Sequence, residues 1–118
     1  MLMTIASNSY ESIPAGMYRG TFASFEPAET SKGKAWKWKF NVTDPKASGK
    51  TVCEFSDAEG PPTLRNKTGR FLQALAGKAL AEGTGINPDD YVGKSYLLVI
   101  EPKPDKPGET RLSTFSAI

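Results

Sequence analysis

Residues 35–44, AWKWKFNVTD, constrain the fold more than any other stretch of the chain. Apolar and polar side chains alternate along it: Trp36, Trp38, Phe40 and Val42 against Lys37, Lys39 and Asn41. Because successive side chains of a β-strand point to opposite faces, this pattern predicts a half-buried strand with an aromatic face and a basic face. Trp38 and Phe40 are predicted to be core, whereas Trp36, at the strand's start, is either core or exposed enough to stack on a flat ligand. The lysines are either a solubilising surface or a track for a polyanion.

Composition limits the classes of protein to which this chain can belong. With 118 residues, 24% of them charged and 10% aromatic, the chain is the size of one globular domain with its own core. One cysteine, Cys53, and no histidine exclude an internal disulfide framework, zinc sites and the common nucleophile–histidine arrangements. We therefore expect no enzyme, no cofactor and no metal site.

The same features bear on where the chain acts. A single cysteine suits a reducing compartment, which predicts a cytoplasmic protein. The sequence has no apolar run of transmembrane length, and its start lacks the order of a signal peptide, so no membrane partner is expected. Positive charge is concentrated in residues 32–78, which carry ten lysines and arginines against four acidic residues. This basic middle is either an ordinary solvated surface or a phosphate-facing one.

We predict a flexible N-terminal arm at residues 1–14 and a single domain at 15–118. We predict strands at 17–26, 35–43, 50–57, 94–102 and 109–118. Gly20, and a bulge between Phe22 and Phe25, would bend the first strand so that both phenylalanines enter the core. Residues 27–34 are predicted as a loop and residues 103–108 as a proline-rich hairpin tip. For the third strand, either face can be the inner one.

A helix is predicted at residues 64–80, with Thr63 as its N-cap and Gly77 or Gly83 at its end. Asn87 and Pro88 predict a short capped turn before the fourth strand. Three strands, a helix and two strands is the order of the OB-fold, a five-stranded Greek-key barrel. A split β-sandwich or an SH3-like barrel shares most elements, but a helix in the fourth position argues against both. The predicted core is Phe22, Trp38, Phe40, Val42, Phe71, Leu75 and Leu98.

Several short motifs, in order, carry a family resemblance. They are Gly16-x-Tyr18, the W-x-F-x-V pattern at residues 38–42, Gly49-Lys50, RFLQALAG at 70–77 and PDDYVGK at 88–94. Over most of residues 15–115 the chain resembles the small phage-encoded OB-fold proteins of the single-stranded DNA-binding type. The resemblance implies sequence-tolerant binding of single-stranded DNA in phage replication or recombination, in the cytoplasm of the host cell.

In an OB barrel the ligand crosses strands two and three, between the loops that join strands one–two and four–five. The candidate binding residues on or beside that path are Arg19, Lys32, Lys34, Trp36, Lys37, Lys39, Phe55, Lys103, Lys106 and Arg111, with Tyr18 as a weaker aromatic candidate. The expected partner is single-stranded DNA, with single-stranded RNA as the alternative polymer. Replication or recombination proteins, and a second copy of the chain, are further candidate partners. The alternative function is a protein-interaction or structural accessory module without nucleic-acid binding, which the net charge of +2 would also suit.

Overall fold

The computed structural model describes residues 13–118, which form five strands, one α-helix and one 3-10 turn. The elements are β1 (Gly16–Thr30), β2 (Gly33–Val42), β3 (Thr51–Asp57), α1 (Lys67–Ala76), the 3-10 turn (Pro88–Tyr91), β4 (Ser95–Pro102) and β5 (Thr110–Ala117). The strands form one antiparallel sheet in the order β3-β2-β1-β4-β5. The predicted mainly-β class is confirmed, as is the helix between the third and fourth strands.

The predicted N-terminal arm lies outside the described residues except for Ile13 and Pro14. Ile13 is only 3% exposed and belongs to the hydrophobic core. Its carbonyl oxygen accepts a hydrogen bond from the Thr110 hydroxyl at 2.6 Å, and that of Pro14 accepts one from the Tyr18 hydroxyl at 2.7 Å. Ile13 therefore packs with the domain that was predicted at residues 15–118.

β1 is the central strand and has a different partner on each of its edges. Its first residues pair with β4 as far as Thr21, and β2 pairs with it from Gly20 to Thr30. The register with β2 shifts between Phe22 and Ser24, which confirms the predicted bulge. Phe22 is 1% exposed, whereas Phe25 is half-buried with its ring centroid 4.6 Å from that of Trp38. The bulge thus brings both phenylalanines against the core.

The predicted loop at residues 27–34 is wrong, because β1 and β2 continue through it as a tight hairpin. Thr30 pairs with Gly33 around a two-residue turn, and the Thr30 hydroxyl donates to the Gly33 carbonyl at 3.1 Å. Gly33 has a φ of +113°, which a residue with a Cβ rarely adopts. Pro27 is tolerated because β4 stops at Thr21, so this part of β1 has a free edge in the described sheet.

The core lies between the inner face of the sheet and α1. All seven predicted core residues are buried, and Trp38 at its centre has no exposed surface. Its indole N–H donates to the Ser56 hydroxyl at 2.8 Å, and the Thr68 hydroxyl of α1 lies 2.7 Å from the same oxygen. Buried polar groups require such partners. Val52 and Ser56 therefore mark the inner face of β3, and Cys53 and Phe55 its outer face.

The predicted helix range 64–80 is too long, and its predicted start is wrong, since α1 spans Lys67–Ala76. Asn66, not Thr63, is the N-cap, and its side-chain oxygen accepts from the Gly69 N–H at 2.8 Å. The Thr63 hydroxyl accepts instead from the Asn66 N–H at 3.2 Å, in the turn before the helix. At the other end, Gly77 adopts the left-handed conformation and stops the helix, as one of the two predicted alternatives.

Helix α1 covers the core through Phe71 and Leu75. The Phe71 ring packs edge-on against Trp38 and Phe115, with centroids 5.2 and 5.0 Å apart. The Leu75 carbonyl oxygen accepts a hydrogen bond from the buried Tyr96 hydroxyl at 2.7 Å. In residues 13–118 no helix has the length and apolar character needed to cross a membrane.

Candidate nucleic-acid interface

The outer face of β1–β2–β3 carries two lysines side by side. Lys37 and Lys39 alternate with the buried Trp38 and Phe40, so both point away from the core. Across the ladders, Lys37 has Glu26 and Phe55 as its neighbours, and Lys39 has Ser24 and Cys53. We call the surface formed by Ser24, Glu26, Lys37, Lys39, Cys53 and Phe55 the lysine face. It brings together three of the predicted binding residues: Lys37, Lys39 and Phe55.

Strand geometry sets the spacing of the groups on the lysine face. Residues two apart on a strand lie about 6.5–7 Å from each other, and directly opposed residues have Cβ atoms about 4.5–5.5 Å apart. Lys37 and Lys39 are both half-buried rather than fully extended into solvent. Lysine stems commonly pack along apolar surface while the ammonium group reaches water. The two lysines are therefore neighbours on the outer side of β2, and Phe55 is the cross-strand neighbour of Lys37.

The pKa of the Cys53 thiol is affected by its burial and by three charged neighbours on the lysine face. Burial raises the pKa of the Cys53 thiol above its usual value. The positive charges of Lys37 and Lys39 act on the same pKa in the opposite direction, and Glu26 acts to raise it. A thiol with a raised pKa is poorly nucleophilic at neutral pH. Cys53 is therefore a packed residue of the lysine face and not an activated nucleophile.

Trp36 lies on the other face of β2 from the lysines. Its ring stacks on Phe25, with centroids 4.7 Å apart and planes 25° apart, and both side chains are half-buried. Both rings pack against the core cluster. Trp36 is thus partly exposed, one of the two predicted alternatives, but a ligand lying flat on the lysine face would not meet it. The stacking role predicted for Trp36 stays a prediction, and it requires a strand that passes around the hairpin.

Lys32 and Lys34 lie at the tip of the β1–β2 hairpin and are exposed. The tip is held by Glu59, whose carboxylate accepts a hydrogen bond from the Lys34 N–H at 2.8 Å. The Ala58 N–H donates to the Lys34 carbonyl at 3.1 Å, so the segment after β3 extends the sheet to this point. Lys34 precedes Trp36 by two residues, so its side chain lies on the Trp36 face of β2, opposite Glu29 of β1 and beside the Glu59 carboxylate. Of the two lysines, only Lys32, in the turn, can add a cation beyond the end of the lysine face.

The remaining predicted binding residues lie outside the lysine face, at several different positions. Lys103 and Arg111 line a cleft with Cys53 of β3, beside the lysine face. Lys106 is exposed in the β4–β5 loop, and Arg19 is exposed on the outer face of β1 opposite Leu97. Tyr18 is wrong as a stacking candidate, because its side chain is buried and its hydroxyl is bonded to Pro14.

Glu26 and Ser24 were not predicted as part of this surface. Their positions depend on the bulge after Phe22, which changes which β1 side chains lie beside β2 lysines. Glu26 places a carboxylate next to Lys37, which reduces the net positive charge of the lysine face. The alternation of side chains along β2 is sufficient to predict that Lys37 and Lys39 point outward. No local pattern predicts that Glu26 and Ser24 are their neighbours on β1. Comparison with protein-family models and with curated proteins finds no match to this chain.

Proposed function

We propose that this chain is a sequence-tolerant single-stranded DNA-binding protein of the phage OB-fold type, acting in replication or recombination. The observation that carries the proposal is the lysine face, where Lys37 and Lys39 stand next to the outward ring of Phe55. Proteins that bind single strands without reading sequence combine cations for the phosphates with an aromatic face for a base. The lysine face has both components on adjacent strands.

We further propose that the sheet curls into the five-stranded OB barrel. β3 and β5 are the outermost strands of the sheet order, yet residues of both line one cleft. Two outermost strands can lie together only if the sheet bends round on itself, and the bulge in β1 supplies a point of bending. In such a barrel the outer side of β2 and β3 is the usual ligand surface, which is where the lysine face lies.

The lysine face would bind through contacts that every nucleotide offers. Lys37 and Lys39 would neutralise successive phosphates, Lys32 would extend the track at the hairpin tip, and Phe55 would stack on one base. None of these groups reads the edge of a base, so sequence tolerance follows. Single-stranded RNA would satisfy the same contacts, and the preference between the polymers is part of the test.

The test is a titration of a dye-labelled, unstructured oligothymidine, followed by anisotropy over a range of salt concentrations. With three to five phosphates engaged, the slope of log affinity against log salt should be about −2 to −3.5, at about 0.7 per contact. The double variant Lys37→Ala/Lys39→Ala should bind more weakly, with a slope shallower by about 1.4. An oligouridine run in parallel reports the preference for DNA over RNA.

The matched control is Arg70→Ala/Lys78→Ala, which removes two exposed cations at and after α1, away from the lysine face. It lowers the net charge equally, so a general effect of charge would weaken both double variants alike. Equal slopes for the two variants, or no binding by the wild-type protein at low salt, would reject the lysine face as a nucleic-acid surface.

One observation favours a second candidate, a protein-interaction module. Met17 of β1 is 53% exposed on the outer face of the sheet, with half-buried Val99 as its neighbour on β4. Leu97, also half-buried, follows on the same side of β4. Exposed apolar patches commonly mark contact surfaces. If the wild-type protein binds no oligonucleotide, this patch becomes the leading functional surface.

A further inference from the structure

A cleft of about 110 Å³ lies where β3 and β5 approach each other. Its floor is apolar and consists of buried side chains, among them Val52, Ile100 and Leu112. Its walls are the β3 residues Thr51 and Cys53 on one side and the first residues of β5 on the other. Because the floor is buried and the walls are half-exposed, the cleft opens toward the outer surface.

The rim of the cleft carries charge of both signs. Lys103 and Arg111 are on the rim, together with the carboxylate of Glu109. Arg111 and Glu109 are exposed, whereas Lys103 is half-buried. In the described sheet β3 forms a ladder with β2 and β5 with β4, so the strand edges that meet at the cleft are not joined by a ladder. An apolar floor and nearby cations are complementary to a flat heteroaromatic ring that is attached to a phosphate.

The cleft is continuous with the lysine face through Cys53. Cys53 is the cross-strand neighbour of Lys39 and also lines the cleft. A single strand that follows β2 over Lys37 and Lys39 and then turns across β3 at Cys53 therefore reaches the cleft. The distance from Lys39 to the adjacent strand is about 4.8 Å, so neighbouring nucleotides of one strand can occupy both places.

We infer that the β3–β5 cleft is a nucleotide subsite, which takes one base of the bound single strand while Arg111 and Lys103 hold its phosphate. This inference rests on the proposed function, because it concerns the path of the same strand. It adds a defined end to the lysine face: the strand runs from the hairpin tip, over Lys37 and Lys39, into the cleft.

The first test fills the cleft. Thr51 is half-buried on the wall of the cleft, and Thr51→Phe places a ring in the space that the base would take. Affinity for oligothymidine should fall about 5- to 150-fold, which corresponds to the ~1–3 kcal/mol associated with one bound base. Thr21→Phe is the matched control, because Thr21 and Thr51 flank Asn41 in the same cross-strand row. Thr21 does not line the cleft, and this variant should bind as the wild-type protein does.

The second test removes the phosphate contact. Arg111→Ala should make the salt slope shallower by about 0.7, the value for one contact with a single strand. Arg70→Ala, on α1, should leave the slope unchanged. The Arg111→Ala measurement does not depend on whether Thr51→Phe folds. The affinity of Thr51→Phe is interpreted only if its denaturation midpoint is close to that of the wild-type protein.

The outcomes separate the cleft from the proposed function. If folded Thr51→Phe binds as tightly as Thr21→Phe, or if Arg111→Ala keeps the wild-type slope, the cleft is not a nucleotide subsite. The lysine face then stands on the wild-type binding and on the lysine variants. If the wild-type protein binds no oligothymidine, the proposed function fails and the cleft inference fails with it.

Discussion

The ring of Phe25 is stacked on the indole of Trp36, with their centroids 4.7 Å apart, and the Phe25 ring also contacts Trp38 edge-on at 4.6 Å. Phe25 therefore connects a partly exposed tryptophan to a fully buried one. The bulge between Phe22 and Ser24 places Phe25 opposite Trp38 in the register of β1 and β2. The two tryptophans share a face but differ in burial, and their substitutions should differ accordingly.

We expect Trp38→Ala to lower the free energy of unfolding by about 3–5 kcal/mol, because it removes a large side chain from the centre of the core. It also leaves the Ser56 hydroxyl without the indole donor at 2.8 Å. Trp36→Ala should lower it much less, by about 0.5–1.5 kcal/mol for the lost aromatic pair plus a partial burial contribution. Urea denaturation of the three proteins measures the difference, and equal losses would contradict the burial of the two rings.

Substitution of the two candidate stacking residues, Phe55 and Trp36, should have different effects on the affinity for oligothymidine. Phe55→Ala should weaken oligothymidine binding by about 1–3 kcal/mol, because it removes the aromatic ring from the lysine face. Trp36→Ala should bind nearly as the wild-type protein does, since Trp36 points to the other side of β2. Anisotropy titrations at one salt concentration measure both. The reverse ranking would support the stacking role predicted for Trp36 from sequence and a path around the hairpin.

Gly69 should be intolerant of alanine although it lies inside a helix. An alanine normally stabilises a helix by about 1 kcal/mol relative to glycine. Here a Cβ on Gly69 would overlap the carbonyl oxygen of Thr63, so Gly69→Ala should instead destabilise the domain by about 1–3 kcal/mol. Gly85→Ala is the control, because nothing lies within 4 Å of the added atom. Thermal or urea denaturation in which both variants match the wild type would exclude the close approach of Thr63.

Tyr96 should make the domain sensitive to alkali. Burial, with a smaller contribution from Tyr91, raises the pKa of Tyr96 to about 12, against about 10 in an unfolded chain. Between these pH values the unfolded state binds fewer protons than the folded state. The contribution of the Tyr96 hydroxyl to the free energy of unfolding is therefore complete below pH 10 and is lost as the pH rises toward 12. Tyr96→Phe should be less stable at neutral pH, because the Leu75 carbonyl loses its donor, but its stability should fall less across that interval.

Denaturation midpoints of wild type and Tyr96→Phe, measured from pH 9 to pH 12, check this prediction. Every other ionisable group is the same in both proteins, so the difference between the two curves isolates Tyr96. Parallel curves would show that the Tyr96 hydroxyl ionises equally in the folded and unfolded states.

Local patterns were sufficient for the elements in which side-chain periodicity and burial agree. The alternation in β2 predicted a buried Trp38 and outward lysines, and Asn87 with Pro88 predicted the short turn that the structure shows at Pro88–Tyr91. Patterns failed where a residue's usual preference was overridden by a distant partner. Pro27 and Gly33 indicated a loop, but β2 pairing and the Glu59 carboxylate hold the segment as a hairpin.

The sequence by itself determined the class of fold, the order of its elements, the core and the basic side of β2, because each depends on periodicities of two or 3.6 residues along one segment. Only the tertiary structure decided which β3 face is inward, that Glu26 and Cys53 flank the lysines, and that Lys103 and Arg111 stand at a cleft with Cys53. These depend on register between strands far apart in the chain. A shift of one residue in that register reverses every side chain, and no local pattern specifies it.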